Sequence, residues 1–198
     1  MGKTGIIIIA AGASRRMENT KQLLQIGEET MLGKAIKQAT ASVADEVIVV
    51  LGANSDRITA KIEHFPAIIL INENWRNGLG SSIATGIKYF FQNKKKFEAV
   101  LVMLGDQPLM DSAYLNQLLE VYKENPSKIV ATKYPKSAGV PAVFPKKYFK
   151  ELSLLAEDKG AKNILARERS SLIVLDAGDR ILDIDTPQDY KQLQERLD

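Results

Sequence analysis

No cysteine occurs in the chain, so disulfides, thiolate nucleophiles and cysteine-ligated metals are excluded from the outset. Histidine is almost absent too. The one example, His64, ends a short expected helix before Phe65-Pro66 and reads as a helix-end residue without catalytic duty. Ser14 has no histidine nearby in sequence, so nothing supports a Ser-His-Asp arrangement. Excess charge is also lacking: +3 over 198 residues is too mild to imply a nucleic-acid partner. The one dense basic run, Lys94-Lys95-Lys96, reads as a solvated turn. No apolar stretch reaches membrane length, and Met1-Gly2-Lys3 opens straight into a strand without the apolar core of a signal peptide. These absences lead to the expectation of a soluble cytoplasmic protein, with residues 1–198 forming one domain.

What is present concentrates between Gly5 and Leu24. Ile6 to Ile9 is a continuous β-branched run, apolar on both faces, as a central strand of a parallel sheet requires. It runs into Ala10-Ala11-Gly12, whose small side chains let another molecule approach the backbone closely. Arg15, Arg16 and Lys21 follow, beyond the C-terminal end of the strand, where open α/β sheets bind ligands. Small residues followed by fixed positive charge suggest a polyphosphate.

Further strands are expected at 46–51, 67–72, 98–104 and 128–132, with a shorter extended piece at 140–144 and late strands at 172–175 and 181–184. Helices are expected at 31–42, at 55–64 with Asn54 as N-cap, at 81–92, from Asp111 or Ser112 to 124, at 146–155 and 161–167, and from Pro187 onward. Strands alternating with helices predict right-handed βαβ units, hence a three-layer α/β/α, Rossmann-like fold. Its sheet is expected to be mostly parallel, with the short late strands added at one end.

Two phosphate-binding look-alikes fail on context. Gly2-Lys3-Thr4 lacks the upstream glycine of a P-loop, and Ile83 stands where Gly78-Leu79-Gly80 would need the last glycine of a dinucleotide fingerprint. Asp106 is more informative, held just past an apolar strand in Gly105-Asp106-Gln107-Pro108, and Asp185 ends the late segment Leu182-Asp183-Ile184-Asp185. Each alone could be a helix or turn cap. Together, beside a lysine/arginine loop, they suit Mg²⁺, which takes few protein carboxylates plus phosphate oxygens and water.

Ala10-Ala11-Gly12-Ala13-Ser14-Arg15-Arg16-Met17 with Lys21-Gln22-Leu23-Leu24 resembles the signature of the nucleotidyltransferases that include molybdenum-cofactor cytidylyltransferase. The resemblance continues through Asn74-Trp75, Gly80-Ser81-Ser82, Gly86, Gly105-Asp106-Gln107-Pro108, Gly139-Val140-Pro141, Asp158-Lys159-Gly160-Ala161 and Asp183-Ile184-Asp185-Thr186-Pro187. It implies transfer of a nucleotide from a triphosphate with release of pyrophosphate. By similarity, Lys21 and Arg16 serve catalysis at the triphosphate, and Asp106 and Asp185 hold magnesium. Ala10, Ala11, Gly12, Ser14, Lys21, Gly80, Ser81 and Ser82 bind the nucleotide, while Gln107, Gly139 and Pro141 face the acceptor. Ala11 stands where related guanylyltransferases carry a second glycine, which points to CTP, and the implied acceptor is a molybdopterin-type cofactor. A molybdoenzyme or its chaperone is then a possible protein partner.

The resemblance has departures. Glu18 replaces the usual glycine after Arg-Met, with Asn19 able to take φ > 0 beside it, and Lys136-Ser137-Ala138 is leaner than the family's glycine-rich segment. A phosphate-monoester acceptor has a second pKa of about 6 and is already a dianion at neutral pH, so it needs no general base. That suits a chain with a single histidine. Sugar or polyol phosphates remain alternative acceptors. A nicotinamide-dependent redox enzyme and a non-catalytic protein that hands over a cofactor are the other classes.

Overall fold

The computed structural model describes residues 2–14, 16–17, 20–92, 97–156, 158 and 160–197. The readings placed on Arg15, Glu18, Asn19, Lys94 to Lys96 and Lys159 lie outside these residues. In chain order, β1 (Lys3–Ala10) is followed by a ribbon of β2 (Gln25–Ile26) and β3 (Glu29–Thr30), then α1 (Met31–Thr40), β4 (Glu46–Leu51), α2 (Ser55–Ile62) and β5 (Ile68–Ile71). Next come α3 (Leu79–Gln92), β6 (Phe97–Leu104), α4 (Ser112–Glu124), β7 (Val130–Tyr134), β8 (Ser137–Pro145) and α5 (Phe149–Leu152). α6 (Lys162–Arg167), β9 (Ile173–Leu175) and α7 (Pro187–Leu197) complete the order.

The central sheet runs β5-β4-β1-β6-β8-β7-β9. β1 pairs in parallel with β4 on one side and β6 on the other, which is why its isoleucines can be apolar on both faces. Ile6 and Ile8 face a core shared with α1, α2 and α4, whereas Ile7 and Ile9 face one shared with α3, α5 and α6. Full burial of each such side chain favours folding by about 1.5–3 kcal/mol. The helices therefore cover both faces, in the three layers that the alternating pattern predicts. α3 comes especially close: a Cβ on Gly86 would lie 2.7 Å from Ile7 Cγ2, so glycine there lets the helix settle against β1.

Two expectations about the second half need correction. β8 is longer than the piece expected at 140–144: it is antiparallel, nine residues long, and inserted between β6 and β7, while β9 lies at the end of the sheet as a late strand should. Its pairing with β7 jumps from Ala131↔Ala142 to Thr132↔Gly139, so Val140 and Pro141 form a bulge where a proline's missing N–H costs no ladder bond. The segment 181–184 is no strand. Gly178–Ile181 forms a 3-10 turn, set by Gly178 at φ +58° and its N–H donating to Asp176 Oδ1 at 2.9 Å. The apolar spacing that mimicked a strand reflects burial against two different clusters, Ile181 in the α4-side core and Leu182 and Ile184 against Met31 and Leu193.

Smaller differences have local causes. Asn54 does precede α2, but at φ +57° it makes no side-chain cap, and its amide reaches Thr20 Oγ1 at 3.4 Å instead. Asp111 does cap α4, accepting from the Tyr114 N–H at 2.8 Å. At α7, Thr186 and Asp189 form a reciprocal capping arrangement around Pro187, with the Thr186 N–H donating to Asp189 Oδ2 at 2.7 Å. Among the described residues no helix is long and apolar enough to cross a membrane.

Candidate active site

The C-terminal ends of β1 and β6 lie side by side, and the Gly105 N–H donates to Ile9 O at 3.0 Å where they meet. The segment before α7 joins them through the Ile184 N–H, which donates to Asp106 O at 3.1 Å. Three stretches far apart in sequence thus converge on one cleft, whose fourth side is the start of α3. Two adjoining compartments of about 400 and 450 Å³ share Ile9, Ala11, Gly12, Arg16, Lys21 and Asp185. The first extends to Trp75 and Ser82, the second to Ala10 and Asp106.

Lys21 sits at the junction. Its Nζ lies 2.5 Å from Asp106 Oδ2 and 3.1 Å from Asp185 Oδ1, and Arg16 reaches Asp185 Oδ2 at 2.9 Å. Burial pulls the Lys21 ammonium down, but the charge and hydrogen bond of Asp106, with those of Asp185, outweigh it and leave the pKa raised. Burial pushes Asp185 up, yet the hydrogen bond and charge of Lys21, helped by Arg16, hold it below the usual carboxylate range. Two cations and two carboxylates neutralise one another here. One atom is left out: among the described residues, Asp106 Oδ1 is buried without a hydrogen-bond partner.

The loop after β1 is held by side chains that sequence reading assigned to ligand or left unassigned. Ser14, at φ +53°, accepts from the Lys21 N–H at 3.0 Å and donates to Gln22 Oε1 at 3.2 Å, so its hydroxyl serves the loop although the residue lines the cleft. Buried Gln22 donates to Ala10 O at 3.0 Å and Gly12 O at 2.9 Å, fastening the small-residue segment. Gln22 stands in the Lys21-Gln22-Leu23-Leu24 motif, but the motif alone assigns it no role. Gly12 keeps its expected openness, since a Cβ there would meet nothing within 4 Å.

On α3, only Ser82 of the Gly80-Ser81-Ser82 trio lines the cleft. Gly80 is buried in the first turn, and the Ser81 hydroxyl is within donating reach of Gly78 O at 2.8 Å and Asn74 O at 3.1 Å, closing the helix start. Gly78 takes φ +97°, and any Cβ on it would overlap Asp158, a cleft residue to which sequence reading gave no role.

Gln107, Gly139 and Pro141 form a second polar system behind Asp106. Gln107 donates from Nε2 to Tyr134 Oη at 2.8 Å and to Asp183 Oδ1 at 2.9 Å, and Tyr134 donates to Val140 O at 2.6 Å. Because that carbonyl can only accept, the tyrosine oxygen must accept from Gln107, which fixes the amide orientation and leaves Gln107 Oε1 buried without a partner among the described residues. Gly139 lies against the Tyr134 ring, where a Cβ would come to 2.8 Å, and the carbonyl of buried Pro141 accepts from Thr132. Neither Gln107, which is buried, nor Gly139 nor Pro141 lines the cleft itself. Asp183, exposed in part, is a third carboxylate beside the site. Burial and the neighbouring Asp106 charge push its pKa up against the Gln107 hydrogen bond.

A MobA-like NTP transferase domain model matches residues 6–172, which covers most of the chain, including the ends of β1 and β6 and the start of α3, and stops before Asp185. The chain belongs to the MobA-like NTP transferase family. It is similar to solved structures over nearly its whole length. The Mycobacterium sp. strain JC1 homologue of Mycobacterium tuberculosis Rv0371c is 28% identical, with a TM-score of 0.82 over 98% of this chain and 96% of that one. Rv0371c in complex with manganese is 27% identical, with a TM-score of 0.80 over 98% of each chain. Among curated relatives, a bifunctional protein GlmU of Campylobacter jejuni is 31% identical over 69% of this chain and 31% of its own length. Nicotine blue oxidoreductase of Paenarthrobacter nicotinovorans is 30% identical over 65% of this chain and 60% of its own. This MobA-like chain therefore spans under two thirds of the length of those curated relatives.

Proposed function

We propose that the protein transfers a nucleotide, CMP from CTP, to a phosphate-bearing acceptor, with a molybdopterin-type cofactor the first candidate, and releases pyrophosphate. The observation that carries this is Lys21 held between Asp106 and Asp185 on the floor of a cleft walled by Ala11, Gly12 and Ala13. A triphosphate entering along the small residues meets Lys21 and Arg16, which offset charge on the α-phosphate and on the departing pyrophosphate. Ser82 and the neighbouring wall face the base or ribose. An acceptor phosphate would align for in-line attack beside Asp106, with Gln107 the candidate neighbour on that side. Alignment and charge neutralisation are what such a transfer demands most.

The donor set fits a hard divalent cation. Two carboxylates, one with a buried oxygen still lacking a partner, leave the remaining positions to phosphate and water, as Mg²⁺ prefers. Asp106 and Asp185 would hold it, and the ion would supply charge stabilisation at the phosphates. The manganese complex of Rv0371c, a full-length relative in the family, supports a divalent ion. Ala11 in place of a second glycine supports CTP over GTP.

The test is pyrophosphate release by the purified protein with Mg²⁺ and a molybdopterin-type cofactor, comparing CTP, GTP and ATP. Release with CTP alone bears out both the transfer and the base. Release with another triphosphate discards the base assignment, and release only with a sugar or polyol phosphate discards the acceptor. Binding without release under every acceptor overturns the enzyme reading in favour of a cofactor hand-over protein.

A further inference from the structure

Ser81 and Ser82 are identical neighbours in sequence, yet the structure commits their hydroxyls differently. Both oxygens sit beside one buried amide, Asn72, which follows β5: Asn72 Nδ2 is 2.9 Å from Ser81 Oγ and 3.0 Å from Ser82 Oγ. The orientation of that amide is fixed by its other end. Asn72 Oδ1 accepts from the Asn74 N–H at 3.0 Å, and a backbone N–H can only donate. The nitrogen therefore faces the serines, and because an amide nitrogen only donates, both serine oxygens must accept. A hydroxyl that accepts from Asn72 has its own proton left to give. Ser81 has backbone acceptors for it at Gly78 O and Asn74 O. Ser82 has no such acceptor among the described residues, and it is the one that lines the cleft. Asn72 does not line the cleft, and its backbone is tied in place by its N–H donating to Leu51 O at 2.8 Å.

We propose that Asn72 is a positioning residue that makes Ser82 an obligate hydrogen-bond donor towards the bound nucleotide, so that the cleft selects a base or sugar edge presenting an acceptor atom at that point. The inference rests on the reading of the cleft as a nucleotide site and deepens it. A free serine hydroxyl rotates and can present either its proton or a lone pair. This one is polarised in a single sense by a group that never touches the ligand. Neutral acceptors such as a ring nitrogen, a base carbonyl or a ribose oxygen satisfy it, and a ring N–H or amino group facing Ser82 is rejected.

The experiment is calorimetric binding of CTP to the whole protein with Mg²⁺ and no acceptor, alongside pyrophosphate release. Variants are Ser82→Ala, Asn72→Asp, Asn72→Ala, Ser81→Ala, and each Asn72 variant combined with Ser82→Ala. Ser82→Ala is expected to raise the CTP Kd by about tenfold, the loss of one net hydrogen bond. Asn72→Asp replaces the donor by an acceptor, so the Ser82 proton turns inward, and a similar rise follows. Asn72→Asp with Ser82→Ala should bind no more weakly than Ser82→Ala alone. Ser81→Ala should lower the melting temperature without moving the CTP Kd.

Should the buried aspartate prevent folding, Asn72→Ala provides the same cycle, with a smaller loss that likewise vanishes in the Ser82→Ala background. Equal weakening by an Asn72 variant in the parent and in Ser82→Ala overturns the proposal, because Asn72 then acts independently of Ser82. A parent-like Kd for Ser82→Ala also overturns it, and continued pyrophosphate release in that variant would leave the proposed transfer standing. A parent protein that binds no triphosphate removes both.

Discussion

The centre of the cleft and its flanks balance their polarity by different means. At the centre, Lys21 and Arg16 stand against Asp106 and Asp185, charge against charge. On the flanks, Asn72 with Ser81 and Ser82, and Gln107 with Tyr134 and Val140, balance neutral donors against neutral acceptors. The Arg16 pair is open to solvent and contributes little to folding, whereas Lys21 and Asp106 meet in a largely buried pair. They can be broken and re-formed around an incoming anion. The neutral systems are directional and buried in whole or in part, and disturbing one leaves a partner unsatisfied. The centre is built to rearrange and the flanks are built to stay.

The sharpest way to break this contrast is at Lys21. Lys21→Ala should lower turnover by at least about 10²–10³-fold, as loss of a single charge-stabilising donor does, with an unchanged circular dichroism spectrum. Near-normal rates would remove Lys21 from the chemistry and leave the centre without its mobile cation. Asp106→Asn comes next. Its effect belongs in the metal titration, where the Mg²⁺ needed for half-maximal rate should rise by more than the roughly 10–100-fold typical of losing an outer partner. An unmoved titration would contradict Asp106 as a ligand.

On the flanks, effects should be smaller and appear in stability first. Tyr134→Phe strips Val140 O of its donor and Gln107 Nε2 of an acceptor. A cost at the lower end of about 1–3 kcal/mol is expected, since Tyr134 is only half-buried. For a chain of this size that lowers the melting temperature by a few degrees, at about 2–4 °C per kcal/mol. A loss of turnover as large as that of Lys21→Ala would erase the distinction between centre and flank.

The smallest effect is a pH dependence. Burial pushes the Tyr134 phenol up to about 12, with Asp183 and Asp106 adding to the rise and the Gln107 hydrogen bond easing it. In the unfolded chain the same group titrates near 10, so the unfolded state gives up a proton that the folded state keeps. The stability due to this neutral phenol is complete below pH 10 and is lost as pH climbs towards about 12. Denaturant melts across that window should show the decline, and Tyr134→Phe should make it shallower.

Much of the centre is legible in sequence, whereas the flanks are not. Ile6 to Ile9 announces a central strand because burial on both faces leaves no room for polar alternation. Lys21 and Asp106 stand in short motifs beside the strand ends that position them. Asn72 and Tyr134 give no such signal, and Gln22 shares the Lys21 motif without its role being readable there. Their roles depend on which donors and acceptors their neighbours have already committed, and that is a property of the folded arrangement. The same limit explains the segment 181–184, whose apolar residues satisfy two separate clusters and pair with no strand. It also explains β8: nothing local to Ser137–Pro145 tells it to enter between β6 and β7.

Trp75, the only tryptophan in the chain, lies in the wall of the first compartment with the Arg76 guanidinium 4.6 Å from its ring centre. Its emission is therefore a single-site optical signal. Tyrosine is excited at shorter wavelength, so a red-edge excitation selects an indole whose surroundings change when the cleft fills and Arg76 shifts. The native protein can then report occupancy of the cleft without a dye, a tag or a coupled assay, and the same signal can be followed through rapid mixing to time the arrival of each substrate.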